Sequence, residues 1–169
     1  MADIPAFDGS GPAAAPVRYA RPSGIAGWVL FDWAMQPFFT LVTTFVFAPF
    51  FAARIAADAA EGQALWGYAT ALAGFTIALL SPVLGAIADQ SGRRKPWTIT
   101  FGIVMAIAST TLWWAVPGTP AAVPIALAGF VIGTIGAEFA TVFNNAMMPA
   151  LVPPERLGRL SGLGWACGY

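Results

Sequence analysis

The 169-residue sequence contains no histidine, a single cysteine (Cys167) and few charged residues. Without histidine and with one thiol, the chain cannot form a Cys/His zinc site, an intrachain disulfide or an imidazole-based catalytic triad. Charged residues are 9% of the total, whereas a soluble domain carries about a quarter. A cytosolic enzyme and a nucleic-acid-binding protein with a basic face are therefore excluded. We predict no catalytic residue, no metal and no cofactor.

Hydrophobic residues make up 58% of the chain, and they are grouped in runs of about 20 or more, the length that spans a bilayer as a helix. We therefore predict an all-α fold, a polytopic bundle of transmembrane helices embedded in the lipid bilayer. The predicted spans are approximately 24–53, 64–88, 97–116, 122–148 and 157–169. The last stretch rises only about 20 Å as a helix, which is too short to cross the hydrocarbon core. We expect four complete spans and the truncated start of a fifth.

Residues 1–22 are rich in Pro, Gly and Ala and lack a long apolar run. We expect a flexible cytoplasmic tail there, followed by a partial transmembrane bundle over 23–169. Seven of the eight basic residues fall in this tail and in the loops after the second and fourth spans, which lie on one side if the spans alternate. The positive-inside rule then predicts a cytoplasmic N-terminus in a multi-pass protein of a bacterial cell (inner) membrane.

Two acids, Asp32 and Glu138, lie inside apolar spans. A charge at membrane depth costs several kcal/mol and is retained mainly where it faces a cavity, a partner or a pathway. Both acids lie about 12–17 Å from the inferred cytoplasmic ends of their helices, so they could share one cavity. The alternative is that they are buried spacers that only fix the packing.

Other polar residues follow the two acids at helical spacing, so that each span presents one polar face. The candidates for binding substrate or protons are Asp32, Gln36 and Thr40 on the first span, and Glu138, Thr141 and Asn145 on the fourth. The opposite face of the fourth span carries four small residues, namely Gly129, Gly133, Gly136 and Ala140. Small residues predict that a neighbouring helix approaches this face closely.

The loop after the second span places a glycine, an acid, a turn glycine and two bases at short intervals. Gly85 would permit close helix contact, and Asp89 could pair with a base at a helix end. Gly92 supplies the turn, while Arg93 and Arg94 can bind carboxylates or anionic headgroups. The plainer interpretation is a cytoplasmic hairpin that carries only topology-setting charges.

This loop resembles the loop 2–3 signature of the major facilitator superfamily, G-x-x-x-D-[RK]-x-G-[RK]-[RK]. Three further segments resemble the vacuole-effluxer-like, autophagy-related branch of that family. They are the D-W-A motif within 27–34, the Phe-Asn-Asn-Ala run with Met-Pro within 143–149, and the stretch 153–165. The resemblance covers about residues 24–169.

The resemblance implies an N-terminal fragment of a twelve-helix transporter built from two six-helix halves. It further implies that helices 1 and 4 line the central cavity. The loop 2–3 motif would latch the cytoplasmic gate through the remaining transmembrane helices of the full-length transporter. Relatives in the fungal vacuole are associated with amino-acid efflux.

The leading hypothesis is secondary active transport of a small solute, with amino acids among the candidates, by alternating access and with protons as the candidate coupling ion. Under it the protein is a transporter and not an enzyme. One alternative is a non-transporting interaction or sensor protein, or an inactive truncated fragment. A remote alternative is an intramembrane enzyme that uses the two carboxylates as an acid/base pair. The Y-D and G-x-G-D motifs of intramembrane aspartyl proteases are absent from the sequence.

Overall fold

The structure is a computed structural model that describes residues 19–168, apart from the side chain of Ser91. Every regular element within these residues is a helix. The predicted all-α fold class is therefore confirmed. Most of the predicted tail over 1–22, and Tyr169 at the end of the predicted fifth span, lie outside the described residues.

Four helices are long and apolar enough, by length and composition, to cross a membrane. They are α1 (Pro22–Ile55), α2 (Ala59–Ser91), α3 (Arg94–Trp114) and α4 (Ala122–Leu151). A shorter helix, α5 (Leu157–Gly168), follows. α4 is interrupted at Met147, between its main part and a last single turn. Large apolar side chains point outward from the bundle, as expected for a protein surrounded by lipid.

Helix α2 begins at Ala59, earlier than the residue at about 64 that hydropathy predicts. The Asp58 carboxylate caps the helix by accepting a 2.8 Å hydrogen bond from the Glu61 backbone N–H. Such a cap satisfies one of the free N–H groups of the first turn. Asp58 and Glu61 interrupt the apolar pattern and would suggest a loop, but they form the cap and the first turn of α2.

Helix α1 is irregular in its second half. It is α-helical over Pro22–Pro37, and π-helical over Phe38–Phe45 and again over Phe51–Ile55. Pro37 and Pro49 lie within it and supply no N–H to the helical ladder. Departures from the regular ladder near proline, including π-turns, are the usual origin of bends in long helices.

Helix α4 packs most closely on α3 through its glycine face, as its small residues predict. A Cβ added at Gly136 would lie 2.8 Å from the Met105 backbone nitrogen, and one at Gly129 would lie 2.7 Å from the Leu112 Cδ2 atom. A Cβ at Gly133 would lie 2.6 Å from the ring of Phe38 on α1. No side chain larger than hydrogen fits at these positions without a shift of its neighbours.

Candidate functional site

Two buried residues join the N-terminal part of α1 to the C-terminal part of α4. The Trp28 indole Nε1–H donates a 2.7 Å hydrogen bond to the Asn144 backbone carbonyl. In return, the Asn144 side-chain Nδ2 donates a 3.4 Å hydrogen bond to the Trp28 backbone carbonyl. Trp28 is 5% exposed and Asn144 1% exposed. Because buried polar groups must be paired, this reciprocal contact fixes the height and rotation of α1 relative to α4.

Beside this junction, α1, α4 and α5 surround a cavity of about 230 Å³, which we call the polar cavity. Its lining residues are Trp28, Asp32 and Gln36 from α1, Thr141, Asn145 and Met148 from α4, and Ser161 and Trp165 from α5. Four of the six predicted binding candidates are therefore brought together. Hydroxyl, amide and carboxyl groups meet there in a bundle that is otherwise largely apolar.

Asp32 is the charged group of the polar cavity. Its side chain is 8% exposed, and it forms no hydrogen bond or ion pair with any residue from 19 to 168. No Lys or Arg from the described part of the chain lines the cavity. A buried charge without a partner is costly, so such a group is expected to meet a proton or a ligand.

Helix α5 covers Asp32 because a glycine lies at the crossing with α1. A Cβ added at Gly164 would lie 2.9 Å from the Trp28 ring and 3.8 Å from the Asp32 Oδ2 atom. Further along, a Cβ added at Gly168 would lie 3.0 Å from Gln36 Cγ. Hydrogen at both positions lets the α5 backbone lie directly on the polar face of α1.

Thr141 contributes a hydroxyl that lacks a partner. Its Oγ1 atom is buried and forms no hydrogen bond within residues 19–168. Threonine in a helix commonly satisfies its hydroxyl on a carbonyl one turn back, and Thr40 does so by donating a 2.9 Å hydrogen bond to the Gln36 carbonyl. Thr134, two turns from Thr141 on α4, also has a buried Oγ1 without a partner in the described residues.

Two of the predicted candidates, Thr40 and Glu138, do not line the polar cavity. Thr40 lies in the π-helical stretch of α1, where the wider turn alters the regular spacing from Asp32. Glu138 lies one turn deeper than Thr141, the deepest cavity residue of α4. The expectation that both acids share this cavity is therefore not met. The Glu138 side chain is half-buried and forms no ion pair or hydrogen bond with the described residues.

The loop between α2 and α3 is tied to the end of α4 by Arg94. Its Nη2 lies 2.9 Å from the Asp89 Oδ1 atom, and its Nη1 donates to the Ala146 backbone carbonyl. Gly92 ends α2 with a φ of 62°, a left-handed conformation that glycine adopts without strain. Arg93 is exposed beside it. These loop residues border a cavity of about 910 Å³.

Gly85 of the same motif lies apart from this cluster. A Cβ added there would meet nothing within 4 Å among the described residues. The predicted close helix contact at Gly85 therefore has no counterpart among α1 to α5.

Sequence reasoning missed four residues of the polar cavity, namely Trp28, Met148, Ser161 and Trp165. Trp28 could have been found, because it precedes Asp32 and Gln36 at i, i+4 and i+8 on one helical face. Ser161 and Trp165 share the same four-residue spacing. They lie in a helix that was predicted only as the start of an incomplete span.

The sequence profile of the Major Facilitator Superfamily matches residues 8–169. The uncharacterized MFS-type transporter YxiO of Bacillus subtilis (strain 168) is 34% identical over 145 residues, which cover 84% of this chain and 33% of the relative. The chain thus spans about a third of the length of that curated relative. No solved structure matches the chain. The family-level part of the resemblance is confirmed, while the autophagy-related branch stays a prediction. The chain belongs to the major facilitator superfamily and is a multi-pass membrane protein.

Proposed function

We propose that the protein is a membrane transporter that moves a small solute by secondary active transport with alternating access. The observation that carries the proposal is Asp32, a buried carboxylate without a partner that faces a cavity of about 230 Å³. Family membership supports transport rather than catalysis. Further transmembrane helices of a full-length transporter would complete the pathway.

Each cavity residue has a proposed role. Asp32 binds the solute or a coupling proton, and Gln36, Thr141 and Asn145 supply hydrogen bonds. Glu138 and Thr40 lie outside the polar cavity, and we place them on the route that continues from it. Protons are the proposed coupling ion, because a carboxylate without a basic partner can exchange a proton with each turnover. No other ionisable side chain of the described residues lines the cavity beside Asp32.

We also propose that the α2–α3 loop takes part in gating. The contribution of an exposed ion pair to stability is small, so the Asp89–Arg94 pair is better suited to a contact that forms and breaks. Gly85, whose surroundings are open, and Arg93 would meet the other half of the transporter. The basic residues of this loop support a cytoplasmic location for the loop and for the N-terminus, by the positive-inside rule.

The branch and the solute are proposed from the sequence motifs. The D-W-A motif contains Asp32, the charged residue of the polar cavity. We therefore keep the vacuole-effluxer-like branch as the proposal, with amino acids among the candidate solutes. The Bacillus relative supports a bacterial cell membrane as the location.

The test is solute uptake by the full-length protein in proteoliposomes, with and without an imposed pH gradient. We expect Asp32→Asn to lower uptake at least tenfold, and Glu138→Gln to weaken its dependence on the gradient. Asp58→Asn is the matched control for the first change. Asp58 caps α2 outside the cavity, and asparagine caps a helix as well as aspartate does. Unchanged uptake in Asp32→Asn would remove Asp32 from the transport mechanism.

A further inference from the structure

We propose that the solute held in the polar cavity is a small organic amine that carries an ammonium group and no carboxylate, with Asp32 as its counter-ion. This inference rests on the proposed transport function. For the same site it names the substrate class that the cavity residues favour, in place of the amino acids that the sequence motifs suggest.

The charge balance of the cavity favours a cation. Asp32 is the ionisable group among the lining residues that the structure describes, and the other polar liners are neutral amides and hydroxyls. An anionic solute would be repelled, and a neutral one would leave the buried carboxylate without a countercharge. A cationic solute supplies the countercharge to Asp32 while it is bound and removes it when it is released.

The hydrogen-bond pattern also disfavours an anion. The Trp28 indole N–H, which could bind an anion, is already engaged with the Asn144 carbonyl. Trp28 therefore offers the cavity its ring and not its donor. Trp165 lines the cavity from α5 and is 67% exposed, so it gives the site a second indole. Indole rings attract organic cations through their negative faces.

The ligand set does not suit a metal ion. A hard cation such as Ca²⁺ takes six to eight oxygen ligands, often several of them carboxylates. In the part of the chain that the structure describes, no group of three or more Asp, Glu, His or Cys side chains is placed to hold a metal. One carboxylate beside two indoles suits an ammonium group better.

The size and polarity of the cavity narrow the class of solute further. The part of the cavity that the described residues enclose is about 230 Å³, below the usual range of about 300–1,000 Å³ for sites that hold drug-sized ligands, so it suits a small solute. A zwitterionic amino acid would bring a carboxylate that no described lining residue can neutralise. A hydroxyl group on the amine would find partners in the side-chain amides of Gln36 and Asn145, which line the cavity. An amino alcohol fits both requirements.

The experiment compares three solutes of similar size on the full-length transporter in proteoliposomes. Radiolabelled ethanolamine is the cation, glycine the zwitterion and glycolate the anion. We expect ethanolamine uptake to exceed glycine and glycolate uptake at least tenfold, and to fall at least tenfold in Asp32→Asn. The Asp58→Asn control should transport like the unchanged protein.

A pair of substitutions at Trp165 tests the indole contribution without touching the buried charge. Trp165→Phe keeps an aromatic face, whereas Trp165→Leu keeps only apolar bulk. We expect the KM for ethanolamine to rise at least threefold in the leucine variant and less in the phenylalanine variant, with normal size-exclusion profiles for both. Equal KM values in the two variants would remove Trp165 from the recognition of the cation.

Three results would overturn the proposed substrate class. Glycine or glycolate uptake that equals ethanolamine uptake, or the absence of ethanolamine uptake while other solutes move, would refute it and leave transport intact. Uptake of a neutral solute that requires both Na⁺ and Asp32 would make Asp32 the site of a coupling ion instead. If a broad panel of solutes shows no uptake at all by the folded protein, the transport function itself fails.

Discussion

Helix α4 has two faces that differ in how they meet their neighbours. On the α3 side, a Cβ added at Gly129 or Gly136 would lie within 2.8 Å of existing atoms, so no free space remains. On the side of α1 and α5, Thr141 and Asn145 line a cavity of about 230 Å³. The first face contacts its neighbour by close steric packing, and the second presents polar side chains to a cavity. One helix thus combines a tightly packed face with a face that borders the polar cavity.

Hydroxyl groups show the same difference. On the packed side, Thr111 Oγ1 donates a 2.7 Å hydrogen bond to the Ala108 carbonyl, beside Gly129. On the cavity side, Thr141 Oγ1 has no partner among the described residues. A buried hydroxyl without a partner costs free energy. The cavity face of α4 therefore contains a polar group whose burial lowers stability, whereas the Thr111 hydroxyl on the packed side has a partner.

The largest loss of stability is expected when a side chain is added on the packed face of α4, where no free space remains. In Gly136→Val the added atoms would meet the Met105 backbone, which cannot move aside as a side chain can. We expect a loss of about 3 kcal/mol or more in stability, because overpacking of this kind forces backbone shifts. The melting temperature of the purified protein should fall steeply. Gly74→Val is the control, because a Cβ at Gly74 meets nothing within 4 Å among the described residues. Similar melting temperatures for the two variants would show that the contact between α3 and α4 tolerates a larger side chain and is not tightly packed.

An intermediate effect is expected at the junction between the two faces. Trp28→Phe removes the indole N–H that bonds to the Asn144 carbonyl, and within residues 19–168 that carbonyl then keeps the Met147 N–H as its donor. We expect a loss of about 1–2 kcal/mol in stability and a larger loss of uptake, because Asp32 is positioned one turn away. Trp113→Phe, at a site that is 85% exposed, should change neither melting temperature nor uptake. Unaltered uptake in Trp28→Phe would mean that the junction does not position the cavity.

The smallest change in stability is expected inside the cavity. Thr141→Val replaces the hydroxyl by a methyl group of nearly the same shape and removes a buried polar group that lacks a partner. We expect stability to change by less than about 0.5 kcal/mol, because no hydrogen bond is lost. Solute uptake should nevertheless fall severalfold. Thr111→Val should show the reverse, with lower stability and little change in uptake. A clear drop in melting temperature for Thr141→Val would place its hydroxyl in the packing instead.

The sequence predicts the packed face better than the cavity. Glycines at helical spacing identify the close approach of α3, because small side chains have few other reasons to repeat on one face. Regular α-helical spacing also groups Asp32 with Gln36, and Thr141 with Asn145. Four of the six cavity candidates therefore follow from periodicity alone.

The remaining features depend on geometry that periodicity does not contain. Thr40 is misplaced because the π-helical turns after Pro37 change the residue spacing of α1. The level of Glu138 relative to Asp32 depends on where Trp28 meets Asn144, a contact between residues 116 positions apart. Ser161 and Trp165 of α5 line the cavity because Gly164 lies against Trp28 and brings α5 close to α1. Such long-range contacts are set by the assembled bundle.

The seat of α5 on α1 has a mechanical consequence. A glycine backbone on the flat ring of Trp28, at Gly164, has no side chain that interlocks with its neighbour. Leu160, one turn before Gly164, is buried beside Trp28 and Val152 and holds the start of α5 in place. The following part of α5, with glycine at 164 and 168, has no side chain at its contacts with Trp28 and Gln36, so a small shear shift of this part over α1 meets the least steric resistance.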